Sequence, residues 1–168
     1  MSRPARRPRF LNPAELIDFT RWYAGEVTAG RYPYVDFDAD TRWHQRLYRD
    51  QRLDVWLISW LPSQGTQLHD HGGSAGSFTV LSGVLSEAVY GGGRLHERQR
   101  PAGASVGFGA KYVHDVRNLG DEPAVSVHAY SRPLTSMTYY DLASGDLVPV
   151  TTVVTDDPEA PVDIRVAS

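Results

Sequence analysis

The chain of 168 residues contains no cysteine. That absence excludes disulfides, thiolate zinc sites, iron–sulfur clusters and a cysteine nucleophile together. Any metal must be held by nitrogen and oxygen, which turns attention to the six histidines. Lysine is nearly absent: Lys111 stands alone among 17 basic residues, and the net charge is −3. No overall charge drives the chain toward nucleic acid. Long apolar runs are missing as well. The stretch Val55 to Leu61 is interrupted by Ser59, far short of the ~20 residues that cross a bilayer. Met1 to Phe10 carries Arg3, Arg6, Arg7 and Arg9 without the apolar region of a signal peptide. The expectation is a soluble cytoplasmic protein, with neither a nucleic-acid nor a membrane partner.

The length suits one domain, since domains run to roughly 100–200 residues. A helix is signalled near the start. Asn12 can cap it, Pro13 suits its first position, and Glu15 completes a capping box. Leu16, Phe19 and Tyr23 share a face at helical spacing, and Gly25 offers a stop. Short runs rich in Val, Tyr, Trp and Thr then follow, punctuated by Gly and Pro. Asp54–Trp60, Phe78–Leu81, Leu85–Tyr90 and Ala124–Tyr130 read as strands. The pattern predicts an all-β barrel or sandwich with a helical N-terminal segment. The expected division is a flexible basic tail over 1–10, a single domain over 11–154 and a flexible acidic tail over 155–168.

The chemistry concentrates in two places. In Leu68-His69-Asp70-His71-Gly72, a strand would turn His69 and His71 to one side and Asp70 to the other. Two imidazoles on one side are half of a metal site suited to Fe, Zn, Cu or Ni. His114 is the leading candidate for a third ligand. An isolated histidine is more simply a surface or satisfied core residue, and His44 and His96 are read that way. The second place is Ser126-Val127-His128-Ala129-Tyr130. Spacing of two sets a hydroxyl, an imidazole and a phenol on one strand face, able to form a hydrogen-bond chain. A nucleophilic Ser126 is the weaker reading, because no glycine elbow surrounds it. Three inward polar residues are costly in a core unless they pair or line a site.

These segments resemble the cupin superfamily. Its first motif lies over Ser63–Gly83, with Ser63 for the first glycine, then His69, His71 and Gly83. The usual metal-binding Glu falls on Gly76. The second motif lies over Gly103–Asn118, with Gly109 and Lys111 for the usual Pro and Gly, then His114 and Asn118. A cupin with three histidines and no such Glu is similar to the thiol dioxygenases. His69-Asp70-His71, His114 to Asn118 and Glu122 to Ser131 resemble cysteine dioxygenase over Arg42 to Asp141. The resemblance implies a double-stranded β-helix (jelly-roll-like) barrel and Fe(II) held by His69, His71 and His114. It also implies a Ser126–His128–Tyr130 triad, and addition of both atoms of O2 to the sulfur of a small thiol, most simply L-cysteine.

Departures from the family accompany that likeness. The cysteine that animal members crosslink to the tyrosine matched by Tyr130 falls on Gly76, so Tyr130 would act as a free phenol. Arg132 replaces a proline of the family's Ser-Pro-Pro segment. The substrate-carboxylate arginine falls within Arg42 to Arg49. Arg46 is the choice, with Arg42 and Arg49 as competitors and Gln45 as the residue a 3-mercaptopropionate enzyme would use. Another thiol acid as substrate stays open, as do a dioxygenase of a non-thiol substrate, a cupin isomerase and a non-catalytic small-molecule-binding cupin. A monomer is expected.

Overall fold

The computed structural model describes residues 9–32 and 34–158. One helix, α1 (Pro13–Thr28), precedes ten strands. These are β1 (His44–Arg49), β2 (Asp54–Trp60), β3 (Ala75–Ser82), β4 (Val84–Gly91) and β5 (Arg94–Pro101). They continue with β6 (Ser105–Phe108), β7 (His114–Arg117), β8 (Ala124–Ser131), β9 (Ser136–Ala143) and β10 (Asp146–Val154).

The helix begins as the sequence predicts. The Asn12 side chain accepts from the Glu15 N–H at 3.0 Å, and Glu15 accepts from the Asn12 N–H at 2.9 Å. Its end and its buried face differ from expectation. The helix runs through Gly25 to Thr28, because a lone interior glycine costs only ~1 kcal/mol and tertiary packing continues beyond it. The buried positions are Leu16, Thr20, Tyr23 and Ala24, whereas Phe19 stays partly exposed.

One sheet has the order β1-β2-β8-β3-β6, antiparallel at every pairing. Alternation gives it two working faces. Val55, Leu57, Val125, Val127 and Ala129 pack against Leu16 and Tyr23 of α1. Thr20 of the helix bonds the hydroxyls of Ser77 and Thr79. The opposite face carries Trp56, Ile58, Trp60, Phe78, Val80 and Tyr130 into the interior. All eight residues of β8 are therefore buried. At the turn into β4, Gly83 has φ +73°, and a side chain there would meet the Pro123 carbonyl oxygen at 2.6 Å. Only glycine fits that turn.

The facing layer comprises the sheets β5-β4-β7 and β10-β9. The irregular segment 64–70 stitches them together. On one side it bonds the β7 backbone through Thr66 N to Val116 O and through a reciprocal pair between His69 and His114. On the other, Asp70 N donates to Thr138 O and Tyr140 N donates to Leu68 O. The result is the two-layered double-stranded β-helix expected. Among the described residues, no helix is long and apolar enough to cross a membrane.

Both expected tails are only partly within the described residues; Met1–Pro8 and 159–168 lie outside them. Arg9 pairs with Glu15. Within the acidic tail, Asp156 pairs with Arg46 and Arg49, and Pro158 is buried. Arg132 lies with its guanidinium 5.0 Å from the Phe10 ring, and the Ser131–Arg132 peptide bond is cis.

Candidate metal centre

The stitched segment brings the three predicted histidines together. His69 and His71 do not lie on a regular strand as expected. They follow one another through an irregular stretch held by isolated bridges to His114 and Tyr139. The alternation survives: Asp70 points away and accepts from Tyr140 Oη at 2.8 Å, while His69 and His71 turn inward. His69, His71 and His114 each offer a ring nitrogen, these atoms lie within 4.8 Å of one another, and all three residues are buried. Their ring centroids are 4.8, 4.9 and 5.1 Å apart.

The outer nitrogens of His69 and His114 are spoken for, which aims their inner ones. His69 Nδ1 lies 2.6 Å from the Gln67 carbonyl oxygen, so it carries the proton and leaves Nε2 as donor. His114 Nδ1 lies 2.8 Å from Glu87 Oε1 and is fixed in the same way. Burial, followed by the neighbouring imidazoles, holds His69 and His71 well below the ordinary histidine pKa. Both are neutral at physiological pH, the state a metal requires. Buried imidazoles converging on one volume fit a first-row divalent ion and disfavour magnesium or calcium, which take oxygen.

Glu87 went unnoticed in the sequence. It is fully buried on β4, where it accepts from His114, Tyr112 Oη at 3.0 Å and Arg100 Nε at 2.8 Å. Burial alone would raise its pKa, but the bonds from His114 and Arg100 hold it below the usual carboxylate value. One signal was available: alternation along β4 puts Glu87 on the same side as the core residue Leu85.

Of the predicted triad, His128 and Tyr130 face this volume, with Ser126 bonded behind His128. Ser126 Oγ lies 2.8 Å from His128 Nε2 and accepts from Trp60 Nε1 at 2.8 Å. Burial, with smaller contributions from His114 and Arg42, pushes the His128 pKa down to about 3. The Tyr130 ring lies 5.1 Å from His71. The position expected to match the lost Glu and cysteine is filled from elsewhere. A Cβ on Gly76 would fall 2.3 Å from Phe108 Cζ and Cε2, and Phe108 stacks on His71 at 4.9 Å. The Asn118 side chain, matched to the second motif, serves the scaffold: it donates to the carbonyls of Trp60 and Glu122.

The model of one known family matches residues 12–143, under the description cysteine dioxygenase type I. The chain belongs to that family. A zebrafish (Danio rerio) protein named cysteine dioxygenase type 1 is 30% identical over 105 residues. That match takes in 56% of this chain and 52% of the relative, so the chain spans about half the relative's length. Solved structures share the fold. A cupin protein from Desulfovibrio desulfuricans superimposes with a TM-score of 0.52 at 18% identity, covering 60% of this chain and 92% of that one. A Klebsiella pneumoniae protein described by its double-stranded β-helix domain gives 0.52 at 21% identity, with 59% and 84% covered.

A small cavity opens over the three histidines, walled by Arg42, Trp60, His128, Tyr130 and Pro158. The arginines sort themselves around it. Arg42, His44 and Arg46 share the inner face of β1 and the residues leading into it, with His44 opposite Ile58 and Arg46 opposite Trp56. Arg42 lies over the Trp60 ring at 4.8 Å and lines the cavity. Arg46, the sequence-based choice, lies over Trp56 and is bonded to Asp54 and Asp156. Arg49 pairs with Asp156. Alternation puts Gln45 on the other face, between Trp43 and Leu47, which pack toward the helix. The two histidines read as ordinary are satisfied: His44 by the Arg42 carbonyl and Asp157, and His96 by the Gly91 carbonyl.

Proposed function

We propose that this protein is an iron(II)-dependent thiol dioxygenase that adds both atoms of O2 to the sulfur of L-cysteine, giving cysteine sulfinate. The observation that carries the reading is a buried three-imidazole cluster with no carboxylate among its donors, open to a cavity that also holds Arg42, His128 and Tyr130. Family membership supports the reaction class. Iron(II) held by His69, His71 and His114 would supply the redox chemistry that joins O2 to a thiolate.

The chain's own residues then bind and orient. Arg42 presents a guanidinium fork to the substrate carboxylate, replacing Arg46, whose donors are already occupied by the chain's own carboxylates. Trp60 donates to Ser126, which leaves the serine proton for His128 Nε2 and sets the imidazole proton on Nδ1. His128, neutral because it is buried, lines the cavity with Tyr130, which acts as a free phenol beside the reacting atoms.

The test is O2 uptake by the iron-loaded protein with L-cysteine, 3-mercaptopropionate and cysteamine. L-Cysteine should be consumed fastest, with one sulfinate formed per O2. Full iron with no thiol-dependent uptake would overturn the proposal. Arg42→Ala should raise KM for L-cysteine by about tenfold or more, as the loss of a charge-assisted bond implies, and leave cysteamine, which has no carboxylate, almost unaffected. The same pattern in Arg46→Ala instead would move the carboxylate contact there.

A further inference from the structure

One wall of the cavity comes from outside the strands and the stitched segment. After β10, Thr155 N donates to the Thr135 carbonyl, and the chain runs on beside β1. Asp156 Oδ2 accepts from Arg46 Nη2 at 3.0 Å and from Arg49 Nη1 at 2.6 Å, and its carbonyl also accepts from Arg46. Asp157 Oδ2 lies 3.0 Å from His44 Nε2. These contacts set Pro158, which is buried, against the volume lined by Arg42, Trp60, His128 and Tyr130.

The chemistry of the strap differs from that of the other walls. Proline has a rigid ring and no N–H, so Pro158 limits size without recognising a polar group. The cavity it closes leaves about 10 Å³ for the centre of a water molecule, close to the least that holds one water, and an amino-acid thiol is far larger. Something must move for it to enter. The strands are locked in backbone ladders, whereas the anchors Asp156, exposed, and Asp157, half-buried, hold by side-chain ion pairs near the surface, and such pairs are worth little each.

We infer that Pro158, carried by Thr155–Pro158, is the specificity-determining wall of the thiol site. It admits cysteine-sized thiols and turns away larger ones. Entry releases Asp156 from Arg46 and Arg49, and Asp157 from His44. The substrate class rests on the dioxygenase reading above; the closure over the histidines does not.

Two variants and two readouts test this in the full chain. Pro158→Gly removes the wall, and Asp156→Ala/Asp157→Ala removes the anchors. The first readout is the rate at which ferrozine captures iron from the loaded protein, which involves no thiol. It should rise about fivefold in both variants, a factor within reach of the three surface ion pairs that the double variant loses. The second is the turnover of L-cysteinylglycine relative to L-cysteine, which should rise by a similar factor. Wild-type values for both readouts, in variants that melt as the parent does, overturn the inference. Faster capture with an unchanged thiol ratio overturns the specificity role. Faster capture with no thiol turnover even in the parent upholds the closure and overturns the dioxygenase reading.

Discussion

Glu87→Gln isolates the carboxylate behind His114. The substitution keeps the size and shape of the side chain but replaces one acceptor oxygen with a donor. In the native arrangement both oxygens only accept, from His114 Nδ1 and Tyr112 Oη on one side and from Arg100 on the other. A glutamine amide must face at least one of these donors with its own N–H, leaving a buried donor unmatched at about 1–3 kcal/mol. It also removes the negative charge bonded directly to His114, so His114 becomes a poorer donor and its ring orientation loosens. Loss of such a partner typically costs 10–100-fold in metal affinity, or about 1.4–2.7 kcal/mol. Competition between the apo protein and a calibrated chelator for Co(II) or Fe(II) measures this without any turnover. The expected result is 10–100-fold weaker binding in a variant that still folds. Glu87→Ala should be weaker still and less stable, because it also strands Arg100. Affinity within about twofold of wild type for folded Glu87→Gln would refute the reasoning and leave Glu87 as a structural ion-pair partner of Arg100.

Gly76→Ala forces a Cβ to 2.3 Å from Phe108, against a normal carbon contact of ~3.5–4.0 Å. Overpacking of this kind costs about 1–3 kcal/mol, which lowers Tm by about 2–12 °C at this chain length. Phe108→Leu in the same chain should recover part of the loss in a double-mutant melting cycle. Tyr130→Phe should keep its metal by elemental analysis yet lose most sulfinate production; turnover at the wild-type rate would remove the phenol from the mechanism. The pH dependence of stability follows from His128. Its folded pKa of about 3 lies below its unfolded value, so between those values the unfolded chain binds the extra proton. The contribution is complete above about pH 6.5 and is lost as pH falls toward 3, by up to about 1.4 kcal/mol per pH unit. Urea denaturation of the metal-free protein from pH 7.5 to 4.5 should therefore show a steeper loss for wild type than for His128→Gln.

Much of the architecture is legible where local chemistry decides it. The capping box of Asn12 and Glu15, the strand Asp54–Trp60 and the alternation Ser126, His128, Tyr130 each depend on nearest neighbours, and each stands as expected. The three histidines were legible as a set because the irregular stretch 69–71 keeps the alternation of a strand even though its pairing is confined to isolated bridges. What stayed hidden depends on partners distant in sequence. Arg42, just before β1, and Arg46, on it, share the inner face, but Arg46 is tied to Asp54 and Asp156 while Arg42 lies over Trp60 and lines the cavity. That difference comes from Asp156, far along the chain and in a stretch whose composition suggests a loose tail. Glu87 carries no motif; its meaning depends on His114 and Arg100 arriving beside it. The helix outruns Gly25 because sheet packing outweighs a local propensity.

The backbone pairing of His69 with His114 ties two ligands to the integrity of both layers. His69 gives its N–H and its carbonyl to His114 and also bridges Tyr139. No short piece of the chain can assemble this centre, and local melting of either layer dismantles it. Metal affinity and folding are thus linked, and an ion bound there would act as a clasp on the finished fold. At free metal 100 times its dissociation constant, that linkage stabilises the fold by about 2.7 kcal/mol. The protein's resistance to unfolding in a cell would then follow the supply of its metal, and starvation for the ion would shorten the life of the chain itself.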